Sequence, residues 1–254
     1  MLDIQYLSCT QGEWEPGGIP VVHPYYWTTF SVLHGAESPA QYWAADNTQF
    51  LLDPIGRASA ACREQLTDFL DVRTTEEYGA PAPEYLLLDR AGLNHLSPLA
   101  IRGMESLALP QALEIAQVQL QQNGSRKVLL CCSALPTPYD GTQSRERRAA
   151  AFVVDLYAPS RSSQIRIVEH RCGVTPAQLE EKLRRFEGEI IYSEVSGLPK
   201  AVQSAQVICG RDGMLAPLFL LEQLRSAGHR MEMLVLLESG GHYGYVHYQM
   251  GRIL

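Results

Sequence analysis

Residues 103–133 and 210–240 of this 254-residue chain align without a gap when the chain is shifted by 107 positions. "GMESLALPQALEIAQVQLQQNGSRKVLLCCS" lies over "GRDGMLAPLFLLEQLRSAGHRMEMLVLLESG", so that Gly103 meets Gly210, Glu105 meets Asp212 and Pro110 meets Pro217. Further along, Leu113 meets Leu220, and Val128-Leu129-Leu130 meets Val235-Leu236-Leu237. Each copy reads as a glycine-containing corner, a helix with proline in its first turns, and an apolar strand. Each is followed by a further strand ("AAAFVVDLY", "GYVHYQM") and preceded by an apolar run, "EYLLLD" (84–89) or "EIIYSEVS" (189–196). Farther back stands a helix, over about 54–71 or 176–187, and before that a strand, "LDIQYLSC" or "QIRIVEH". A strand–helix–strand–helix–strand–strand unit that recurs once predicts two similar α/β halves in one compact body, residues 1–157 and 158–254.

Local signals fill in the elements. Asp53 can cap the helix at 54–71, Pro54 suits its first position, and Ile55, Ala58, Cys62, Leu66, Phe69 and Leu70 form one stripe. "EYLLLD", continuously apolar at its centre, reads as a strand covered on both faces. Thr175, Pro176 and Gln178 form a capping box; Leu179, Leu183 and Phe186 share a face, and Gly188 ends that helix. Residues 11–50 read as loop with short elements. Their aromatic groups, "HPYYWTTF" and "QYW", either cover the core or form an interface patch.

Composition narrows the function classes. With 46 % hydrophobic and 19 % charged residues, the chain can bury a sizeable core. A net charge of −7 without a Lys/Arg block argues against nucleic acid. No apolar run has the length of a bilayer crossing, and the amino-terminal stretch lacks a signal-peptide pattern, so a cytoplasmic protein is expected. The six cysteines include no C-x-x-C pair, the seven histidines have no zinc-finger spacing, and buried thiols are expected; no metal or cofactor is implied.

The duplicated half, with a nucleophile-type corner at Ser106 and a "CGRDG" corner in the second copy, resembles the thiolase superfamily. Within it, the chain looks most like the type III β-ketoacyl-acyl-carrier-protein synthases. "SLALPQALEIAQVQLQQNGSRKVLLCCSA" resembles that family's nucleophile helix and strand; "RRAAAFVVDLY" its Ala-rich strand; "VICGRDGMLAPLFLLEQL…LVLLESGGHYGYV" its C-terminal corner, helix, strand and glycine loop. The resemblance implies an α/β fold layered α-β-α-β-α with two pseudo-symmetric halves. It also implies a cysteine, a histidine and an asparagine that carry acyl transfer and decarboxylative condensation. The cysteine position falls on Ser106, the histidine position near Ser193–Ser196, and the asparagine position on Arg211. No histidine occurs between His170 and His229, and no asparagine beyond Asn123.

Two readings follow. In one, Ser106 is itself a nucleophile with His95 or His242 as base, making the protein a divergent acyltransferase or thioesterase. The G-x-S-x-G motif is absent, since "GMESL" has leucine after the serine. In the other, the site is vacant, with Ser106, Ser193 and Arg211 at the vestigial positions. The chain then resembles catalytically silent subunits, such as chain-length factors, that pair with an active ketosynthase in fatty-acid, polyketide or related secondary-metabolite assembly. Arg211 would fill the vacated pocket by pairing with Glu105 or Glu194, or sit in solvent. "SRERR" (144–148) would be a solvated loop or touch an acyl-carrier protein or the phosphates of acyl-CoA. The expectation is the vacant-site reading, in a hetero-oligomer with an active subunit or a homodimer.

Overall fold

A computed structural model of the chain describes residues 1–13, 19–20, 43–44, 48–58, 60–63, 65–73, 83–102, 104–122, 127–134, 146–158, 164–192, 206–207, 214–228 and 230–251. Strand β1 spans Leu2–Glu13, and a two-residue ladder joins β2 (Ile19–Pro20) to β3 (Trp43–Ala44). Helices α1 (Thr48–Gly56) and α2 (Ala60–Arg63) lead to β4 (Asp68–Arg73), α3 (Pro83–Ala91) and β5 (Ser97–Ile101). A 3-10 turn, Glu105–Leu107, opens α4 (Ala108–Gln122), followed by β6 (Val128–Ala134) and β7 (Glu146–Leu156). The order then recurs: β8 (Ile165–Val174), α5 (Pro176–Arg185), β9 (Glu189–Tyr192), β10 (Gln206–Val207), α6 (Ala216–Ser226), β11 (Met231–Ser239) and β12 (His242–Met250).

Ten strands form a sheet in the order β10-β9-β11-β12-β8-β1-β7-β6-β4-β5. Read outward from the β1–β8 pair, both directions give the same sequence of roles. In each direction the second strand, β7 or β12, is antiparallel to its neighbours, while β4 with β5 and β6, and β9 with β10 and β11, pair in parallel. The two halves meet in an antiparallel pairing of Leu2–Ile4 with Ile165–Ile167. Alternation along the strands divides the interior into layers. Val128, Leu130 and Cys132 of β6, with Val235 and Leu237 of β11, join the central core around α4 and α6. Leu129 and Cys131 face α1 and α3, while Leu234 and Leu236 face α5. The layers thus run α-β-α-β-α, the arrangement that the sequence resemblance implies.

The repeat carries an offset that the gapless alignment hides. The buried residues Leu109, Pro110 and Leu113 of α4 correspond to Pro217, Leu218 and Leu221 of α6, a separation of 108 rather than 107. The strands keep an odd separation, because Val128 and Val235 both face the central core. One residue is thus absorbed between helix and strand, and Pro110 is not the structural twin of Pro217. The twofold relation is visible in hydrogen bonds. Glu222 of α6 accepts the Cys9 amide of β1 at 3.0 Å, and Glu114 of α4 accepts the Cys172 amide of β8 at 2.9 Å. Each central helix therefore holds the first strand of the opposite half.

Two expected elements are different. The helix over 54–71 is replaced by α1, α2 and β4: its apolar stripe was assembled from three elements, with Phe69 and Leu70 on opposite faces of β4. Pro54 lies inside α1, and its carbonyl accepts from the Tyr6 hydroxyl, so neither the Asp53 cap nor the N1 proline applies. "EYLLLD" is helical: α3 buries Leu87 and Leu88 and exposes Tyr85. The strand that matches "EIIY" is "DFLDVR", whose buried Asp71 and Arg73 broke the apolar pattern. The capping box of α5 forms as expected, Gln178 N–H to Thr175 Oγ1 at 3.3 Å and Thr175 N–H to Gln178 Oε1 at 2.9 Å.

Candidate active-site corner

β5 ends at Ile101 and the chain turns sharply into α4. At the turn Glu105 takes φ +46, the left-handed region that side chains avoid and that strained nucleophile corners use. The strained residue is thus Glu105 rather than Ser106. Met104 supplies no side-chain cap to the 3-10 turn, whose backbone takes up the amides that lead into α4: Leu107 N–H donates to the Met104 carbonyl at 3.0 Å and Ala108 N–H to that of Glu105.

That corner is closed by the second half. Ser106, buried, donates its hydroxyl proton to the Glu238 carbonyl at the end of β11. Ser239 Oγ donates to Glu105 Oε2 at 2.6 Å, and the Gly241 amide donates to Glu238 Oε1 at 3.0 Å. Gly240 (φ +58) and Gly241 (φ +81) make the tight turn into β12 that brings these groups here. Close approach also needs Gly244, where a Cβ would lie 2.9 Å from Leu107 Cδ2 and 3.2 Å from Pro110 Cγ.

The chemistry this permits is narrow. A serine acts as nucleophile when its proton points at a base, and a peptide carbonyl is not one. Among the described residues the Ser106 hydroxyl has Glu238 as its single hydrogen-bond partner. His242 is exposed on the hairpin, with its backbone paired to Ser239, and His95 is exposed in the turn before β5. His247 lies 3.2 Å from Glu232 and edge-on to Phe186, on the outer side of the second half. His170 lines a groove between α4 and β8, and burial lowers its pKa to about 4. No described cysteine is activated as a thiolate: burial pushes Cys9, Cys62, Cys131, Cys132 and Cys172 upward. Ser193, Glu194, Cys209, Arg211 and the aromatic groups at 23–30 and 41–42 lie outside the described residues.

The part of "SRERR" that is described belongs to β7 and is engaged within the chain. Arg148 pairs with Glu146 at 2.6 Å, while Arg147 donates to the Glu13 carbonyl at 2.9 Å and stacks over Phe50. Sequence reasoning missed a second charged group, at the C-terminal ends of β4 and β5. Asp71, fully buried, receives Arg73 Nη2 at 2.8 Å and Arg102 Nη2 at 2.7 Å; Arg102 also donates to the Asp71 carbonyl at 2.7 Å and reaches Glu84 of α3 at 3.5 Å. The alternation in "DFLDVR" was the available signal. Parallel sheets often hold ligands at such strand ends. Here Asp71 and Arg73 are 0 % and 2 % exposed, and the cluster locks α3 to the sheet.

No family model matches the sequence, and neither does any curated protein. Solved structures do match. The tetronic acid condensing enzyme AbyA1 aligns with TM-score 0.63 and 12 % identity, over 99 % of this chain and 100 % of that one. The 3-oxoacyl-[acyl-carrier-protein] synthase III of Aquifex aeolicus aligns with TM-score 0.59 and 12 % identity, over 98 % and 100 %. The acyltransferase ChlB3 aligns with TM-score 0.61 and 14 % identity, over 98 % and 97 %. The fold is that of the thiolase-like condensing enzymes. At this identity the likeness concerns architecture. Among the described residues no helix is long and apolar enough to cross a membrane.

Proposed function

We propose that this chain is a non-catalytic, synthase III-like subunit that pairs with an active condensing enzyme acting on acyl thioesters. The observation that carries this reading is the closed corner: the thiolase-like frame is intact, yet the Ser106 proton is committed to the Glu238 carbonyl and Glu105 to Ser239. A docking surface supports it. Among the described residues β5 ends the sheet, pairs on one side with β4, and exposes Ser97, Leu99 and Ala100, while the adjoining α3 exposes Tyr85 and Leu86. An open ladder beside apolar side chains suits addition of a partner strand. The acyl-carrier protein or acyl-CoA would then be engaged mainly by the active partner.

Co-expression with a cysteine–histidine–asparagine synthase tests this directly. The two chains should elute as one species, Leu99→Lys should separate them, and the solitary chain should neither transfer nor hydrolyse acyl groups. A solitary chain that turns over acyl thioesters, and stops doing so as Ser106→Ala, would establish the hydrolase or acyltransferase reading instead.

A further inference from the structure

Strand β5 carries a proline on its open edge. Each of its residues from Ser97 to Ile101 pairs with β4 in parallel and without a register shift, Pro98 with Phe69 among them. The backbone groups of successive strand residues point to opposite sides, so either Ser97, Leu99 and Ile101 or Pro98 and Ala100 turn theirs to β4. Proline has no N–H to give to a ladder. An unbroken ladder through Pro98 is therefore carried by Ser97, Leu99 and Ile101, and the backbone groups of Pro98 and Ala100 face away from β4. Among the described residues no strand lies on that side.

That edge is lopsided. It offers two acceptors, the Pro98 and Ala100 carbonyls, and a single donor, the Ala100 N–H. Two copies of the chain laid edge to edge and antiparallel about Leu99 would set each Pro98 against the other copy's Ala100. Both N–H groups that Pro98 would have to supply are missing, a ring carbon stands in the place of each, and each Ala100 carbonyl is left without a donor. Centring the pair on Pro98 sets proline against proline and forms no bond there. Centring it on Ala100 leaves only residues 99–101 overlapping. An unlike strand with N–H groups at both places satisfies both carbonyls and meets the proline ring once.

We propose that Pro98 makes the β5 edge selective for a strand of a different protein over a second copy of this chain. The partner segment is extended, brings an N–H opposite each of the Pro98 and Ala100 carbonyls, and lays apolar side chains beside Leu99, which is 42 % exposed. In a twofold pair one residue acts from both sides, so the penalty of a single proline is doubled in a homodimer and single in an unlike pair. The inference rests on the β5 edge being the docking surface, and it assigns the choice between homodimer and hetero-oligomer to one residue.

Sedimentation velocity of the full-length chain, with Pro98→Thr and Pro98→Val as donor-restoring variants, tests it. The parent should sediment as a monomer at micromolar concentration. Each variant restores an N–H where no bond to β4 is at stake, and should self-associate about tenfold or more tightly than the parent. Adding Leu99→Lys to either variant should return it to monomer. A parent that dimerises and is dissociated by Leu99→Lys overturns the proposal, as do donor-restoring variants that fold and stay monomeric. If those variants stay monomeric while a cysteine–histidine–asparagine synthase still co-elutes with the parent, the selectivity of Pro98 falls and the functional reading stands. If they dimerise through β5 and no synthase binds, the selectivity stands and the functional reading falls.

Discussion

The first and second halves share a sheet order and differ in where they place charge. The second strand of one half, "DFLDVR", buries an ion cluster; its counterpart in the other half reads "EIIY". One central helix carries Glu222 and Arg225, the other Glu114 and Gln117. The shared features, the parallel ladders and the paired Glu-to-amide bonds, hold the frame. The departures mark what each half does with it: the first half supplies the corner, and the second closes it. Duplication thus preserves an architecture while leaving single positions free to lose or change their chemistry.

Breaking the charge difference should have the largest effect. Asp71→Ala leaves buried Arg73 and partly buried Arg102 without their shared carboxylate, and should lower stability by about 3–5 kcal/mol in urea unfolding. A cost no greater than that of an exposed ion pair would mean the cluster is not the anchor of α3. Next comes acid. His170 has its pKa lowered from 6.5 to about 4, so across that window the unfolded chain binds a proton that the folded one does not. Stability should therefore fall as pH drops from 6.5 toward 4, by up to about 3 kcal/mol, and His170→Phe should flatten the dependence. The closure itself is probed by Gly244→Val, whose Cβ meets Leu107 and the Arg171 carbonyl at 2.9 Å; a loss of about 1–3 kcal/mol is expected from thermal unfolding. Smallest and most informative for the symmetry are Glu114→Ala and Glu222→Ala. Each unpairs one strand amide and should cost about 1–2 kcal/mol, nearly equal in the two halves. A large inequality would show that the two bonds are not equivalent parts of one frame.

Much of the frame was legible from the sequence because the repeat is long and periodic from Gly103 onward. The helices at Ala108–Gln122, Pro176–Arg185 and Ala216–Ser226, and the strands following the first and third of these, stand where the pattern put them. The region before the corner was not legible, for two related reasons. A strand that buries Asp71 and Arg73 does not read as apolar, and a helix whose Leu86 is partly exposed beside buried Leu87 and Leu88 reads as a strand. The one-residue offset between the repeated helices was likewise hidden, since Pro110 and Pro217 coincide by residue type and not by position. At the corner, sequence placed a serine where a cysteine was expected. It could not show that Glu105 carries the backbone strain, nor that Glu238 and Ser239 would meet the turn from 132 and 134 residues away.

Intact-mass analysis of the purified chain after incubation with acyl-CoA, run beside Ser106→Ala, tests the central claim most directly. The account predicts an unmodified mass for both proteins and no thioester loss above background. An acyl adduct on the parent protein that Ser106→Ala removes would contradict it.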